Sequence, residues 1–178
     1  MTTLRYSMAS LGINLLQVAV ATWLLYFWAP PPEAGRTVYL AAPLVGVLLT
    51  VGRLVDALVD PWIGRWSDQS RGPWGRRKPF LLLAAPVAVV ALVLLWTPPM
   101  ATSGWVNGLY FGVVSTVFYG ALSCVGIPYD STLPELATTP QARLNLSTWK
   151  NVLGTLGVLI GAIITAPLFS RDPVLMAL

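Results

Sequence analysis

Two acidic residues within an apolar segment are the best candidates for chemistry in this chain. Asp56 and Asp60 lie four residues apart in a stretch that is long enough to cross a membrane. This spacing places both carboxylates on one face of a helix, and Arg53, one turn earlier, falls near that face. A charged carboxylate at the centre of a membrane helix costs at least about 2.5–3.5 kcal/mol, so such residues usually have a function. The pair predicts a polar site inside a bundle of membrane helices.

The composition favours a membrane protein over a soluble enzyme. Apolar residues make up 56% of the 178 residues and charged residues only 10%, against roughly 25% charged residues in soluble domains. The chain has no histidine, which excludes a His-based proton relay and a Ser-His-Asp triad. We find no nucleophile–base pair and no metal-ligand cluster, so we expect no catalytic residues and no enzymatic activity.

Five apolar segments are each long enough to span the roughly 30 Å of hydrocarbon in a bilayer. We therefore expect an all-α, polytopic membrane protein that forms a single transmembrane domain over residues 1–178. The predicted helices cover about 4–28, 38–66, 79–96, 105–129 and 146–169. The tail, 170–178, is expected to start a sixth helix that the chain does not complete.

The basic residues predict the orientation of these helices. Two, Arg36 and Arg171, fall on one side of the predicted membrane. The other side carries more of them: Arg5, Arg65, Arg71, Arg76, Arg77, Lys78 and Arg143. Because cytoplasmic loops are enriched in Lys and Arg, we expect the N-terminus to lie in the cytoplasm. A basic loop beside a span sets topology and touches anionic lipid, so the net charge of +4 does not indicate nucleic acid.

The fifth segment contains Gly157 and Gly161, a G-x-x-x-G spacing. Small residues at this spacing let another helix approach closely. We interpret the pair as a helix-packing face.

Two runs of sequence resemble a known family. The first contains R-x-x-D-x-x-x-D-P at 53–61, G-x-x-x-D at 64–68 and W-G-R-R-x-P-F at 74–80; the second is I-P-Y-D-S-T-L-P at 127–134, with Arg143 and Lys150 after it. Both resemble the glycoside–pentoside–hexuronide:cation symporters of the major facilitator superfamily, which include the melibiose permeases. The resemblance covers nearly the whole chain and the first five of that family's twelve helices, and it implies a bacterial inner (cytoplasmic) membrane protein.

The resemblance implies roles for individual residues. Asp56 and Asp60 match the carboxylates that bind the coupling cation, which is Na⁺, Li⁺ or H⁺, and Ser123 matches a hydroxyl that assists them. Asn14 and Lys150 match positions that bind the solute; the alternative for Lys150 is that its side chain snorkels to the cytoplasmic interface. No cofactor is implied apart from the coupling cation, and Na⁺ between the two aspartates is the one metal ion expected.

The loop after the second helix also matches a motif of the superfamily. Asp68, Gly75, Arg76 and Arg77 occupy the positions that latch the two halves of such transporters on the cytoplasmic side. The alternative is that these charges only set topology and face lipid.

Three positions depart from the melibiose-permease pattern. Asn14 stands where that pattern has a sugar-binding aspartate, Gly126 where it has a second aspartate, and Val59 where it has an asparagine beside the cation site. The loss of two carboxylates that grip sugar hydroxyls argues against a galactoside as the solute.

The acidic pair leaves two interpretations open. Two carboxylates on one face suit a small hard cation, whose charge offsets their burial. Alternatively, Arg53 and Asp56 form a structural ion pair while Asp60 is protonated or faces water. Opposite charges about 4 Å apart gain roughly 4 kcal/mol at an effective dielectric constant of about 20, enough to tolerate burial without any function.

Two functions are consistent with these observations. The first is part of a cation-coupled symporter for a sugar or related small solute, completed by a complementary half, a second copy or a longer chain. The second is an accessory subunit derived from a transporter, packed in another membrane complex, binding lipid or pigment and without transport activity. Both predict the lipid bilayer and a second protein chain as partners.

Overall fold

Residues 2–70 and 77–169 are described by the structure, a computed structural model, with side chains at 3–70 and 77–163. The helices are α1 (Thr2–Trp28), α2 (Ala42–Gln69), α3 (Lys78–Leu95), α4 (Trp105–Ser131), the short α5 (Leu133–Leu136) and α6 (Pro140–Phe169), with a 3-10 turn at Pro32–Ala34. The described residues contain no strand. Within these residues, five helical segments are long and apolar enough to cross a membrane. The all-α membrane fold is therefore confirmed, while the expected start of a sixth helix at 170–178 lies outside the described residues.

Proline sets the start of two helices away from the expected positions. Helix α2 begins at Ala42 rather than 38, with Pro43 in its first turn. Helix α6 begins at Pro140 rather than 146, and the hydroxyl of Thr139 accepts a hydrogen bond from the Ala142 N–H at 3.2 Å. Proline suits the first turn of a helix because its missing N–H would have no partner there, and threonine is a favoured N-cap.

The described helices form two compact units, and one of them consists of α1, α5 and α6. Within it, α1 and α6 pack closely along a line of glycines. Gly157 faces the backbone of Leu11, and Gly161 faces Leu15. Because both contacts advance by four residues in the same direction, the two helices run parallel. The G-x-x-x-G spacing thus forms a packing face that lets two backbones approach without side chains between them.

The other unit consists of α2, α3 and α4. Contacts between α2 and α4 advance together along both helices, so these helices run parallel. They pair Leu48 with Gly112, Gly52 with Thr116, and Gly64 with Ile127. Helix α3 runs antiparallel to α4, since the Tyr110 hydroxyl, near the start of α4, lies 3.0 Å from the Leu94 carbonyl oxygen, near the end of α3.

A buried asparagine fastens the loops at one end of the α2–α4 unit. The Asn107 side chain is fully buried. Its Nδ2 lies 3.1 Å from each of the carbonyl oxygens of Tyr39, Met100 and Thr102, which share its two hydrogens, and its Oδ1 accepts from the Met100 N–H at 3.2 Å. These bonds satisfy backbone groups that helices do not pair, and they tie the segment before α2 to the α3–α4 connection.

We expect Asn107→Leu to lower the free energy of unfolding by about 2–3 kcal/mol, because it leaves several backbone groups without their partner. Equilibrium unfolding in mixed micelles measures this loss. The exposed Asn151 of α6 provides the control, since Asn151→Leu adds only an apolar side chain at a surface position. Equal stability of the two variants would show that the Asn107 bonds contribute nothing.

Candidate functional site

The acidic pair lies on the face of α2 that packs against α4. Gly52, Ile63 and Ser67 of α2 are buried, and they continue the line through Asp56 and Asp60 at steps of three or four residues. This periodicity places all five residues on one helix face. The site is therefore held between two helices that already contact each other on both sides of it.

Both aspartates present buried oxygens that accept no hydrogen bond. Oδ1 of Asp56 and Oδ1 of Asp60 are each inaccessible to solvent, with no donor among the residues that the structure describes. The hydroxyl of Ser123, on α4, lies close enough to the Asp56 carboxyl group to interact with it electrostatically. A buried carboxylate oxygen without a donor is costly unless a cation or proton occupies it. The two oxygens and the hydroxyl together resemble the oxygen-rich surroundings that hard cations prefer.

Proline adds an oxygen to this turn of α2. Pro61 lies inside the helix, directly after Asp60. It has no N–H to donate to the carbonyl oxygen of Ala57, four residues earlier. In a membrane helix such a carbonyl needs another partner, and it lies on the same turns as the two carboxylates.

Arg53 does not form the structural ion pair with Asp56 that one interpretation expected. Among the described residues, no carboxylate oxygen lies within 4.0 Å of the Arg53 nitrogens. The guanidinium carbon lies over the ring of Tyr119, 5.2 Å from the ring centroid. The physical reason is packing: α4 places an aromatic face beside the arginine, and a cation over an aromatic face is attracted to it. Arg53 therefore acts on Asp56 only through space.

Ser123→Ala is expected to weaken cation binding by about tenfold, since it removes one of the oxygen atoms that a hard cation beside Asp56 could contact. Calorimetric titration with Na⁺ and Li⁺ measures the change. Ser131→Ala is the matched control, because the Ser131 hydroxyl donates to the Ile127 carbonyl oxygen of its own helix, at 2.8 Å, and has no other hydrogen-bond partner in the part of the chain that the structure describes. Equal cation affinities in Ser123→Ala and Ser131→Ala would show that Ser123 has no part in cation binding.

The two predicted solute-binding residues lie in the other unit, on α1 and α6. Nδ2 of Asn14 lies 2.8 Å from the Ser10 carbonyl oxygen and 3.3 Å from the Ser10 hydroxyl. The same amide nitrogen lies 3.1 Å from where a Cβ at Gly154 would stand. Lys150 lies one turn before Gly154, about 6 Å along the helix axis. Asn14 and Lys150 thus belong to one pair of helices at neighbouring levels.

The loop motif is described in part. Arg77 Nη2 lies 3.2 Å from Asp68 Oδ1, and the two side chains are 15% and 60% exposed. This ion pair joins the end of α2 to the start of α3. Gly75 and Arg76 lie outside the described residues.

A separate groove of about 560 Å³ lies between α3 and α4. Cys124 lines it together with apolar side chains such as Leu83, Val87 and Val117. A lining of this kind offers too few hydrogen-bond partners for a sugar, so we do not place the solute there.

Sequence reasoning missed Tyr119 and interpreted Arg53 incompletely. The only signal in the sequence for Tyr119 is an aromatic residue one helical turn before Ser123. Val59 is exposed at 38%, and a Cβ at Gly126 would meet no atom within 4 Å. Neither position supplies a polar side chain to the carboxylates.

Comparison with known proteins extends these observations. The profile of the family described as MFS/sugar transport protein matches residues 5–176. The isoprimeverose transporter of Lactiplantibacillus pentosus is 35% identical over 167 residues, which are 92% of this chain. The inner membrane symporter YicJ of Escherichia coli is 29% identical over 130 residues, 72% of this chain. The sodium-dependent lysophosphatidylcholine symporter 1-B of Danio rerio is 31% identical over 121 residues, 66% of this chain.

These relatives are much longer than the present sequence. The aligned part covers 33% of the isoprimeverose transporter, 28% of YicJ and 22% of the lysophosphatidylcholine symporter. The chain therefore spans about a third or less of the length of the relatives it matches.

Proposed function

We propose that this chain forms part of a cation-coupled transporter for a sugar or related small solute. The chain belongs to the MFS/sugar transport protein family and, within it, to the glycoside–pentoside–hexuronide:cation symporters. Its homologues are transporters rather than enzymes. In such a transporter the coupling cation is a transported substrate and not a resident cofactor.

The half-buried pair of carboxylates, each with one oxygen inaccessible to solvent, is the observation that carries this proposal. Asp56 and Asp60 each hold an oxygen out of solvent with no donor in the described part of the chain. Arg53, the nearest cation along α2, lies over Tyr119 instead. Two carboxylates whose inaccessible oxygens have no donor need a cation or a proton from outside the protein. A symporter couples the reversible binding of such a cation or proton to the movement of its solute. Ser123 supplies a further oxygen from α4.

The solute would bind to the α1–α6 unit. Asn14 offers an amide and Lys150 an ammonium group, which are hydrogen-bond donors suited to sugar hydroxyls. The name of the isoprimeverose transporter favours a glycoside as solute, whereas the lysophosphatidylcholine symporter shows that relatives with other solutes exist. Lysine presents a single charged centre rather than the planar fork of arginine, so its contact with a sugar would be less directional.

Alternating access requires two transporter halves around a shared site. The present chain would supply most of one half, and the other wall of the cavity would come from a complementary protein, a second copy or a longer form of this chain. We place the protein in the bacterial inner membrane with its N-terminus in the cytoplasm, as the basic residues favour.

Uptake of radiolabelled isoprimeverose and a panel of other glycosides, by cells that express the full gene, tests this function. The cells carry an imposed gradient of Na⁺, Li⁺ or H⁺ in turn. At least one glycoside should enter faster down one of these gradients. Uptake that ignores all three gradients, in cells that hold the protein in their membrane, would contradict coupled transport.

A second candidate is a transporter-derived accessory subunit without transport activity. Val59 and Gly126 support it, because neither supplies a polar side chain where the family pattern has one. Native mass spectrometry on protein extracted gently from its source membrane separates the two. A partner that carries further transporter helices, or a longer form of this chain, would support the symporter. An unrelated membrane complex as stoichiometric partner would support the accessory subunit.

A further inference from the structure

We propose that Tyr119 is a positioning residue that holds Arg53 away from Asp56, which leaves the Asp56–Asp60 pair open to the coupling cation. The inference rests on the proposed function and adds to it a residue that sets the cation affinity. Tyr119 contacts neither carboxylate in this role; it acts through the arginine.

The geometry of the contact supports this role. The guanidinium carbon of Arg53 lies 5.2 Å from the centroid of the Tyr119 ring, within the roughly 6 Å over which a cation is attracted to an aromatic face. Tyr119 is itself only 8% exposed, so packing fixes the ring. Since a fixed ring offers one face in one place, it can determine where a long and flexible arginine side chain rests.

The register of α2 against α4 makes Tyr119 and Ser123 a matched pair. They lie four residues apart and therefore on one face of α4. On α2, Arg53 and Asp56 lie three residues apart on the facing side. Helix α4 thus presents the ring to Arg53 and, one turn later, the hydroxyl to Asp56. The parallel direction of the two helices keeps these contacts in step.

Without the ring, Arg53 has a competing partner close by. Residues three apart on a helix are neighbours, and an arginine and an aspartate so placed can form an ion pair. That pair would place an internal positive charge at the carboxylate that the coupling cation needs. The guanidinium would then compete with the cation for Asp56. Because both groups belong to the same helix, the effective concentration of the guanidinium at Asp56 would be high. The cation–π contact removes this competitor.

Calorimetric titration of the full-length protein with Na⁺ and Li⁺, in sodium-free buffer, measures the effect. Tyr119→Leu should weaken the affinity by about three- to thirtyfold, the range expected when a cation–π contact between an exposed arginine and a buried ring is lost. Tyr119→Phe keeps the aromatic face and should bind within about twofold of the wild type. For coupling to H⁺, the pH at which carbodiimide labelling of Asp56 reaches half its maximum, read by mass spectrometry, replaces the titration and should fall by about one unit in Tyr119→Leu alone.

A double variant separates this role from simple damage to packing. Tyr119→Leu combined with Arg53→Gln removes both the ring and the competing charge. Its cation affinity should return to within about threefold of the wild type. A packing defect caused by the loss of the ring would persist in the double variant, because removing Arg53 does not refill the space.

The outcomes distinguish the inference from the function on which it rests. A wild-type protein that responds to none of Na⁺, Li⁺ and H⁺ overturns both. A wild type that responds, with Tyr119→Leu responding equally, overturns the role of Tyr119 and leaves the cation site standing. Weak binding by Tyr119→Leu that Arg53→Gln does not restore also overturns that role. Weak binding that Arg53→Gln does restore supports it.

Discussion

We expect Asp60→Asn to weaken the binding of the coupling cation by about 100-fold or more. The substitution keeps the shape of the side chain and an oxygen ligand but removes one of two negative charges. A unit charge about 4 Å from a cation contributes roughly 4 kcal/mol at an effective dielectric constant of about 20, and each 1.4 kcal/mol is about tenfold in affinity. The amide oxygen retains part of this interaction, so the loss is smaller than the full charge would give. Calorimetric titration with Na⁺ and Li⁺ measures it.

Glu33→Gln is the control for Asp60→Asn. It also removes one negative charge, but from an exposed residue in the 3-10 turn at Pro32–Ala34, and it should leave the affinity unchanged. Circular dichroism and size-exclusion chromatography check that both variants are folded. Wild-type affinity in a well-folded Asp60→Asn protein would contradict the proposed site, since the buried Asp60 oxygen would then have no part in binding.

Gly157→Ala is expected to lower the free energy of unfolding by at least about 2 kcal/mol. A Cβ at this position would overlap the carbonyl oxygen of Leu11 and would lie 3.0 Å from its Cα. These are backbone atoms, which cannot rotate away as a side chain can, so α1 and α6 must separate. Overfilling a packed contact usually costs about 1–3 kcal/mol, and here the gap between the helices widens as well. Equilibrium unfolding in mixed micelles measures the loss.

Gly12→Ala is the matched control for Gly157→Ala. Gly12 lies in α1, is exposed, and an added Cβ would meet no atom within 4 Å. Alanine favours helix over glycine by about 1 kcal/mol, so this variant should be as stable as the wild type or more so. Equal stability of Gly157→Ala and Gly12→Ala would show that the Leu11 backbone does not approach Gly157 closely enough to exclude a Cβ.

The number and type of the helices could be predicted from the sequence because long apolar runs have few alternatives in a membrane. The ends were harder. Pro140 reads as a helix breaker, yet with Thr139 as N-cap it starts α6. In the same way, Pro43 lies in the first turn of α2 and does not interrupt it. A proline signals a boundary, but only the neighbouring residues show on which side of it the helix lies.

The candidate site was predictable along one helix and not between helices. The spacing of Asp56 and Asp60 was sufficient to place them on one face. The partner of Arg53 was not predictable, because the nearest residue of opposite charge is on its own helix while Tyr119 comes from α4. Which residue of α4 faces which residue of α2 depends on how closely Gly52 and Gly64 let the helices approach, and a single helical period does not determine that register.

The measurement that tests the central claim most directly is the affinity for a transported glycoside with and without the coupling cation. The protein is compared with a variant that carries both Asp56→Asn and Asp60→Asn. If the bound cation tightens solute binding, linkage requires that the solute tightens cation binding by the same factor. We predict that the cation tightens glycoside binding by about tenfold in the wild type and not at all in the variant. The same tightening in the variant would contradict a coupling site at Asp56 and Asp60.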